Sequence, residues 1–464
     1  MSKTFRVAIG LLILLVVLVA AYIMFGKRDL YVENMEEWLA LSPVRLLDSA
    51  GPYETYPGQI ELGTDGKGCW ICIASMSPTS SGDPNAERDL LIYRSDDNGE
   101  TWSSEALLHP DFEVDDRSDQ RPNLATDRMG KWVVVWSAVG TGEEEGTGYI
   151  GAGMAFVSRS EDDGETWSSP QRLNTAYDEV GTDSERLLDV VVDDHGNWVC
   201  ATSVEDFDRD AYGRQVYRNV QIKSFRSTNA GESWSEAQVV REPPKELQAS
   251  FYNLALTTTR SGQAILSFDE GTPNEEEQRF DYRVFVYTSP DGGLDWGEPE
   301  ITEAGALPLL LLAPGSRNSL VGIWERSRAG VQGDRILDGL TSARSSDSGR
   351  TWSPAVDVAG PPHENEVNTL PSFATDGRGG LLVAWQAFGR SGRDSDIYGS
   401  VSLDDGRRWS TASVLNPGAE SDKEWEYEFA PTVATDGRGR WIVVWQSGGT
   451  SGYRLYYLVC DALS

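Results

Sequence analysis

Two hydrophobic patterns divide this chain. From Val7 to Phe25 the run VAIGLLILLVVLVAAYIMF carries no charge, and its length nearly matches the ~20 residues a helix needs to cross a hydrocarbon core. With Lys3 and Arg6 in front of it, the segment predicts one N-terminal transmembrane helix, an uncleaved anchor. A cleaved signal peptide is the rival reading, since Val19 and Ala21 could precede a cut, but the apolar run continues through Tyr22, Ile23, Met24 and Phe25, past a normal signal core. Lys27 and Arg28 balance the basic residues on the other flank; a short basic tail before one apolar segment is how a signal anchor begins, so the expected topology exports the C-terminal part.

Beyond the anchor the apolar runs become short, β-branched and aromatic, and they recur. ATDRMGKWVVVW (Ala125 to Trp136), ATDGRGGLLVAW (Ala374 to Trp385) and ATDGRGRWIVVW (Ala434 to Trp445) each read as strand, turn, strand; Gly and Asp supply the positive φ such a turn needs. Weaker versions begin near Leu62, Val191, Leu256 and Leu311, making seven repeats. Alternating with them is an eight-residue pattern, S-x-D-x-G-x-T-W. It is complete in SDDNGETW (Ser95 to Trp102), SEDDGETW (Ser160 to Trp167) and SSDSGRTW (Ser345 to Trp352), and degenerate at Ser227 to Trp234, Ser289 to Trp296 and Ser402 to Trp409. This spacing fits a four-stranded propeller blade with one variable loop.

Each repeat therefore predicts strand A, a tight turn, strand B, a variable loop, strand C, the Asp-containing turn and strand D. The seventh repeat stops at RLYYLVC (Arg454 to Cys460), its third strand. Ser42 to Leu47, SPVRLL, resembles the strand-D segments and can complete that blade, leaving no open edge. The expected fold is all-β: a seven-bladed propeller of four-stranded blades, with six blades as the alternative. The expected domains are an anchor over 1–28, a linker and ring-closing strand over 29–53, and the propeller over 54–464.

The six eight-residue copies resemble the Asp-box, or BNR, repeat of the sialidase superfamily. Physically, Gly permits the turn, Ser and Asp oxygens accept loop N–H bonds, and Trp packs as a staple, so these residues are read as structural. The resemblance implies that they lie on the face opposite the substrate site. The functional rim then carries the residues before each strand A: Tyr56, Asp119 and Arg121, Glu185 and Arg186, Tyr252, Glu366 and Asn368, and Glu426, Tyr427 and Glu428. Guanidinium grips a carboxylate bidentately and aromatic rings cover sugar faces, so the substrate-binding candidates are Arg121, Arg186, Glu185, Asp119, Tyr252 and Tyr56.

In sialidases a tyrosine paired with a glutamate is the nucleophile, an aspartic acid is the acid/base, and three arginines hold the substrate carboxylate. By that resemblance the catalytic candidates are Tyr427 with Glu426 and Glu428, and Glu145, in the run Glu143 to Glu145, where the family has an aspartate. Arg121-Pro122 retains part of the family's Arg-Ile-Pro motif, in the second repeat rather than the first, where Tyr56-Pro57 stands. Two functions remain open: an exo-α-sialidase-type hydrolase, or a propeller without catalysis that binds glycans or proteins.

Composition narrows the rest. With 40 Lys plus Arg against 73 Asp plus Glu the formal charge is -33, which repels polyanions and excludes nucleic acid as a partner. The four cysteines are too few for a disulfide scaffold; Cys69 and Cys72, three apart in a strand, point to opposite faces and are read as buried thiols. His109, His195 and His363 are too scattered for zinc and are read as turn or surface residues. Asp206, Asp208 and Asp210 mimic the start of a calcium loop but lack its late glutamate. The expected cofactor set is therefore empty, with calcium at those aspartates left open.

Overall fold

A computed structural model describes residues 32–47, 54–77, 88–109, 117–140, 153–173, 183–209, 215–274, 279–304, 311–329, 335–359, 367–388, 395–416, 427–449 and 452–463. The anchor segment lies outside these residues; among those described, no helix is long and apolar enough to cross a membrane.

The architecture is an all-β propeller. Five separate four-stranded sheets follow one another: in the second, strands Arg117–Thr126, Trp132–Gly140, Gly153–Ser160 and Gln171–Arg172 pair in sequence order. The remaining strands form one nine-stranded sheet. This corrects the expectation of seven, or six, separate four-stranded blades. The physical reason is a single parallel pair, Ser395 with Tyr427, reinforced where the Ser395 hydroxyl donates to the Glu428 carbonyl (2.8 Å). It joins the strands of the sixth repeat (Val367–Thr375, Leu381–Phe388, Ser395–Ser402, Ser413–Val414) to those of the seventh (Tyr427–Thr435, Arg440–Gly449, Gly452–Ala462).

The outer partner of Gly452–Ala462 comes from the other end of the described chain. Leu39–Leu41 pairs with it through Leu39 and Ala462, and Arg45–Leu46 through Arg45 and Tyr457. Met35, Leu39 and Leu47 are buried beneath this seam. Arg45 and Arg440 both reach Glu100 (3.0 Å each), and Arg440 also holds Asp461 (2.7 Å).

Burial explains why the repeats stack. The B strands are apolar on both faces, as in Trp132 to Trp136, where every side chain is at 0% exposure. Each such strand must be covered from both sides. Apolar clusters accordingly lie between consecutive repeats; one joins Trp70, Cys72 and Tyr93 of the first repeat to Ile442, Val444 and Tyr457 of the seventh, so the repeats close on themselves.

The Asp boxes are structural. Ser95 accepts from the Gly99 N–H (2.9 Å), while Asp97 accepts from the Thr101 N–H (2.8 Å) and hydroxyl (2.5 Å). The same bonds recur at Ser160, Asp162 and Thr166 and at Ser345, Asp347 and Thr351. One element of this motif escaped sequence reading: arginine precedes the serine in four copies (Arg94, Arg159, Arg226, Arg344). Arg94 donates to the Asp163 carbonyl of the next box (2.7 Å), Arg226 to Gly292 (3.1 Å), and Arg344 pairs with Asp405 (3.0 Å).

All four cysteines are free and buried. His109 is not a surface residue: it stacks on Trp136 (5.0 Å between centroids), and burial pushes its imidazole down to about 4. His363 lies outside the described residues. Asp206 and Asp208 sit in a strand, Trp198–Arg209, whose backbone pairs Asp206 with Asn219 and Asp208 with Val216; this is extended ladder rather than a calcium loop, and Asp210 falls outside the described residues.

Candidate functional site at the inner-strand rim

The A strands line the centre of the ring, and their starts share an irregularity. The register shifts between Gln120 and Asn123, Glu185 and Leu188, Tyr252 and Ala255, Thr369 and Ser372, and Phe429 and Thr432. At four of these bulges a non-glycine residue takes positive φ: Arg121 (54°), Asn253 (52°), Leu370 (50°) and Ala430 (52°). Such a backbone costs of order 1 kcal/mol and persists only where the surroundings hold it. Bulges re-aim side chains at rims.

Two of the substrate-binding candidates meet there. Arg121 donates from Nη1 to the carbonyl of Arg186 (3.2 Å), and Arg186 pairs with Glu205 (3.2 Å). The Glu205 carboxylate is nearly buried, at 4%, whereas Arg186 is half exposed, at 49%. Arg121 forms no ion pair with any carboxylate among the described residues. Burial, and then the charge of Arg186, push its guanidinium below the usual value, against the weaker pull of Glu205. Burial raises Glu205 in turn, although the charge and hydrogen bond of Arg186 oppose it.

The candidate carboxylates are held by the fold. Asp119 accepts from the Trp136 indole (2.8 Å), Glu185 from the Ala155 N–H (2.8 Å), and Glu428 from the Ser447 hydroxyl (2.9 Å); all three are buried. Tyr252 accepts from Ser250 (2.9 Å) and meets Tyr282 edge-on (5.7 Å). Tyr427 opens its strand, and neither it nor Glu428 hydrogen-bonds to Arg121 or Arg186. The Tyr56 backbone belongs to strand Glu54–Thr64; its side chain, Glu145, Glu366, the Asn368 side chain and Glu426 lie outside the described residues.

Sequence reading missed a buried polar residue that follows the last aromatic of strand B. It is Ser137, Asp269, Glu325, Gln386 or Gln446, each under 9% exposed, in WSA, FDE, WER, WQA and WQS. These groups hold inner strands in place. Ser137 donates to the Glu185 carbonyl (2.7 Å), Glu325 accepts from the Leu370 N–H (3.1 Å), and Asp269 accepts from Asn253 (2.7 Å). The recurring aromatic-polar pair was a readable signal.

Deeper in the ring, Glu61 and Asp189 occupy register-equivalent positions on the first and third A strands, where the second, fourth and sixth have Asn123, Ala255 and Ser372. Burial, with the Asp189 charge added, pushes Glu61 up to about 8. Burial pushes Asp189 up to about 7, against hydrogen bonds from the Leu256 and Val190 N–H groups. Both folded values lie above the ordinary 4.5 and 3.8, so the folded state holds protons that the unfolded chain releases. Stability present at acid pH is then lost as pH rises through about 7 to 8. Glu61→Gln should stabilise the protein at pH 9 by about 2 kcal/mol, at ~1.4 kcal/mol per pH unit with allowance for partial solvent contact, and leave its stability unchanged at pH 4. Equal melting curves for both proteins at pH 9 would show that Glu61 is not held protonated by burial.

Residues 77–303 match a BNR repeat-like domain family. No curated protein matches the chain by sequence. Among solved structures, the PL25 polysaccharide lyase, an ulvan lyase, is 12% identical with a TM-score of 0.54, the match covering 89% of this chain and 95% of that one. A Dyadobacter fermentans protein of unknown function is 13% identical with a TM-score of 0.51, covering 92% and 99%. The Hadza microbial sialidase Hz136 is 15% identical with a TM-score of 0.47, covering 90% and 68%. At these identities the likeness concerns the fold alone. The chain is a β-propeller whose residues 77–303 match BNR repeats.

Proposed function

We propose that this protein is a membrane-anchored propeller whose inner-strand rim binds a carboxylate-bearing glycan, without hydrolysing it. The observation that carries this reading is Arg121, a partly buried guanidinium with no carboxylate partner among the described residues, on a left-handed backbone beside a second arginine. An arrangement that disfavours its own charge is relieved by an anion, and a guanidinium pair suits a carboxylate. The PL25 lyase has also been solved with a GlcA(1-4)Rha3S ligand; an acidic sugar of that general kind is what this rim would take. Against hydrolysis stand the bonds that tie Asp119, Glu185 and Glu428 into the fold, since an acid/base must be free to reach its substrate.

Residues 7–25 form the anchor in this reading, and the propeller is exported. Protease added to cells with permeable outer layers should digest it; protection until the inner membrane is lysed would reverse the topology.

The function is tested by titrating the full chain in detergent with sialylated, glucuronate-bearing and neutral oligosaccharides, and by incubating it with an aryl sialoside. The expected result is saturable binding of acidic glycans at least tenfold tighter than neutral ones, with no aryl release. Release that vanishes in Tyr427→Phe would establish the hydrolase instead, and no preference for acidic glycans would end the glycan reading.

A further inference from the structure

The fourth repeat carries three aromatic side chains outside its apolar core, which is built on Phe251, Phe268, Phe285 and Tyr287. Tyr252 lies on strand Ser250–Thr258, and Phe280 and Tyr282 lie on strand Arg279–Ser289. Two residues apart in one strand, Phe280 and Tyr282 point to the same face. Tyr282 meets Tyr252 edge-on (5.7 Å between centroids) and Phe280 at a tilt (6.3 Å). The three rings therefore run as one row across the sheet. Phe280 is 44% exposed, and both tyrosines are half-buried.

A glycine lets the row form. Gly271 stands on the strand between the two tyrosines, across from Ser250 on one side and Tyr282 on the other. A Cβ there would come within 2.9 Å of the Tyr282 ring and 3.0 Å of the Tyr252 ring, closer than carbon atoms pack. Gly271 is not among the residues with positive φ, so its backbone would accept another residue. It is the rings that need the space.

The row continues the arginine rim. Arg121, Arg186 and Tyr252 stand near the starts of three successive inner strands. Arg121 reaches Arg186, Arg186 pairs with Glu205, and Glu205 accepts a further hydrogen bond from the N–H of Phe251, the residue before Tyr252. Contact thus passes from the second repeat to the fourth without a break. From Tyr252 the row leads outward, over Gly271, to the third strand of its repeat. Size decides the occupant. An aromatic side chain buries about 150–250 Å², and two of the three are already half covered, so the row falls well short of the ~800 Å² per partner of a stable protein interface. Rings with a polar fringe, here the Ser250 hydroxyl on Tyr252 (2.9 Å) and Asn274 on Asp281 (2.8 Å), suit the faces and hydroxyls of sugar units instead.

We propose that Tyr252, Tyr282 and Phe280 form a stacking platform for the sugar units that adjoin the acidic one, so that the rim recognises an oligosaccharide chain rather than a single terminal sugar. The acidic unit sits at Arg121 and Arg186, and the chain then leaves the ring axis along the fourth repeat. The inference rests on the glycan reading, and the test separates the two.

The full chain in detergent is titrated by calorimetry with glucuronic acid and with a glucuronate-containing tetrasaccharide, and a fluorine label on the Phe280 ring supplies an NMR signal. The tetrasaccharide should bind about tenfold tighter than the monosaccharide, or more, and should shift the fluorine signal. Phe280→Ala with Tyr282→Ala should bring that ratio close to one. Gly271→Ala, which keeps every ring but forces two of them apart, should reduce it. Circular dichroism checks that each variant is folded. A ratio near one in the native chain, a ratio that survives Phe280→Ala with Tyr282→Ala, or a fluorine signal that the tetrasaccharide leaves in place would overturn the platform while the glycan reading stands. An oligomer, seen by light scattering, that Phe280→Ala dissociates would assign the row to a protein contact and overturn it as well. Failure of every acidic sugar to bind ends the glycan reading itself, and the platform with it.

Discussion

Deleting residues 1–47 should lower the melting temperature by about 10 °C or more and drive the chain to aggregate, whereas deleting only residues 1–31 should leave it nearly unchanged. The longer deletion removes the buried side chains of Met35, Leu39 and Leu47. Burying each contributes about 1.5–3 kcal/mol, so the loss is roughly 4.5–9 kcal/mol before backbone hydrogen bonds are counted. It also strips the partner from strand Gly452–Ala462, leaving its unpaired N–H and C=O groups as a template for intermolecular pairing. Arg45 goes too, and Glu100 is left to Arg440 alone. A 48–464 chain that stays monodisperse and melts within a few degrees of the full protein, measured by calorimetry and light scattering, would show that the N-terminal strands do not close the ring.

The second large effect concerns Arg121. Arg121→Ala should weaken acidic-glycan binding about 100-fold, in line with losing ~3 kcal/mol of paired, partly desolvated charge. Arg186→Ala should cost about tenfold, because that side chain is half exposed and already shares Glu205. Arg121→Gly separates binding from folding. At φ 54° glycine relieves backbone strain, and losing the desolvated cation removes a further cost. The variant should bind as poorly as Arg121→Ala yet be more stable than the native chain by about 1 kcal/mol, and so melt higher. Stability lost together with affinity would make Arg121 a structural residue.

Much of the fold was legible because turn chemistry is local. The eight-residue motif sets a loop whose serine, aspartate and glycine bond within a few residues, and the aromatic B strands announce burial on both faces. The fusion of the last two repeats was not legible, since it hangs on one residue pair, Ser395 with Tyr427. At the rim, Arg121 and Arg186 could be picked out by residue type and place before strand A. Their mutual contact, the buried Glu205 between repeats and the roles of Asp119, Glu185 and Glu428 required the packing of one repeat on the next. A carboxylate that anchors an N–H and one that faces a substrate look the same in a sequence.

The account stands most directly on where an acidic sugar binds. A crystal structure of the protein with a glucuronate- or sialate-bearing oligosaccharide should show the sugar carboxylate within hydrogen-bonding distance of the Arg121 guanidinium, with Arg186 alongside and the glycosidic bond intact. A sugar bound with its carboxylate elsewhere while Arg121 stays without an anion, or a cleaved sugar held against Tyr427, would contradict it.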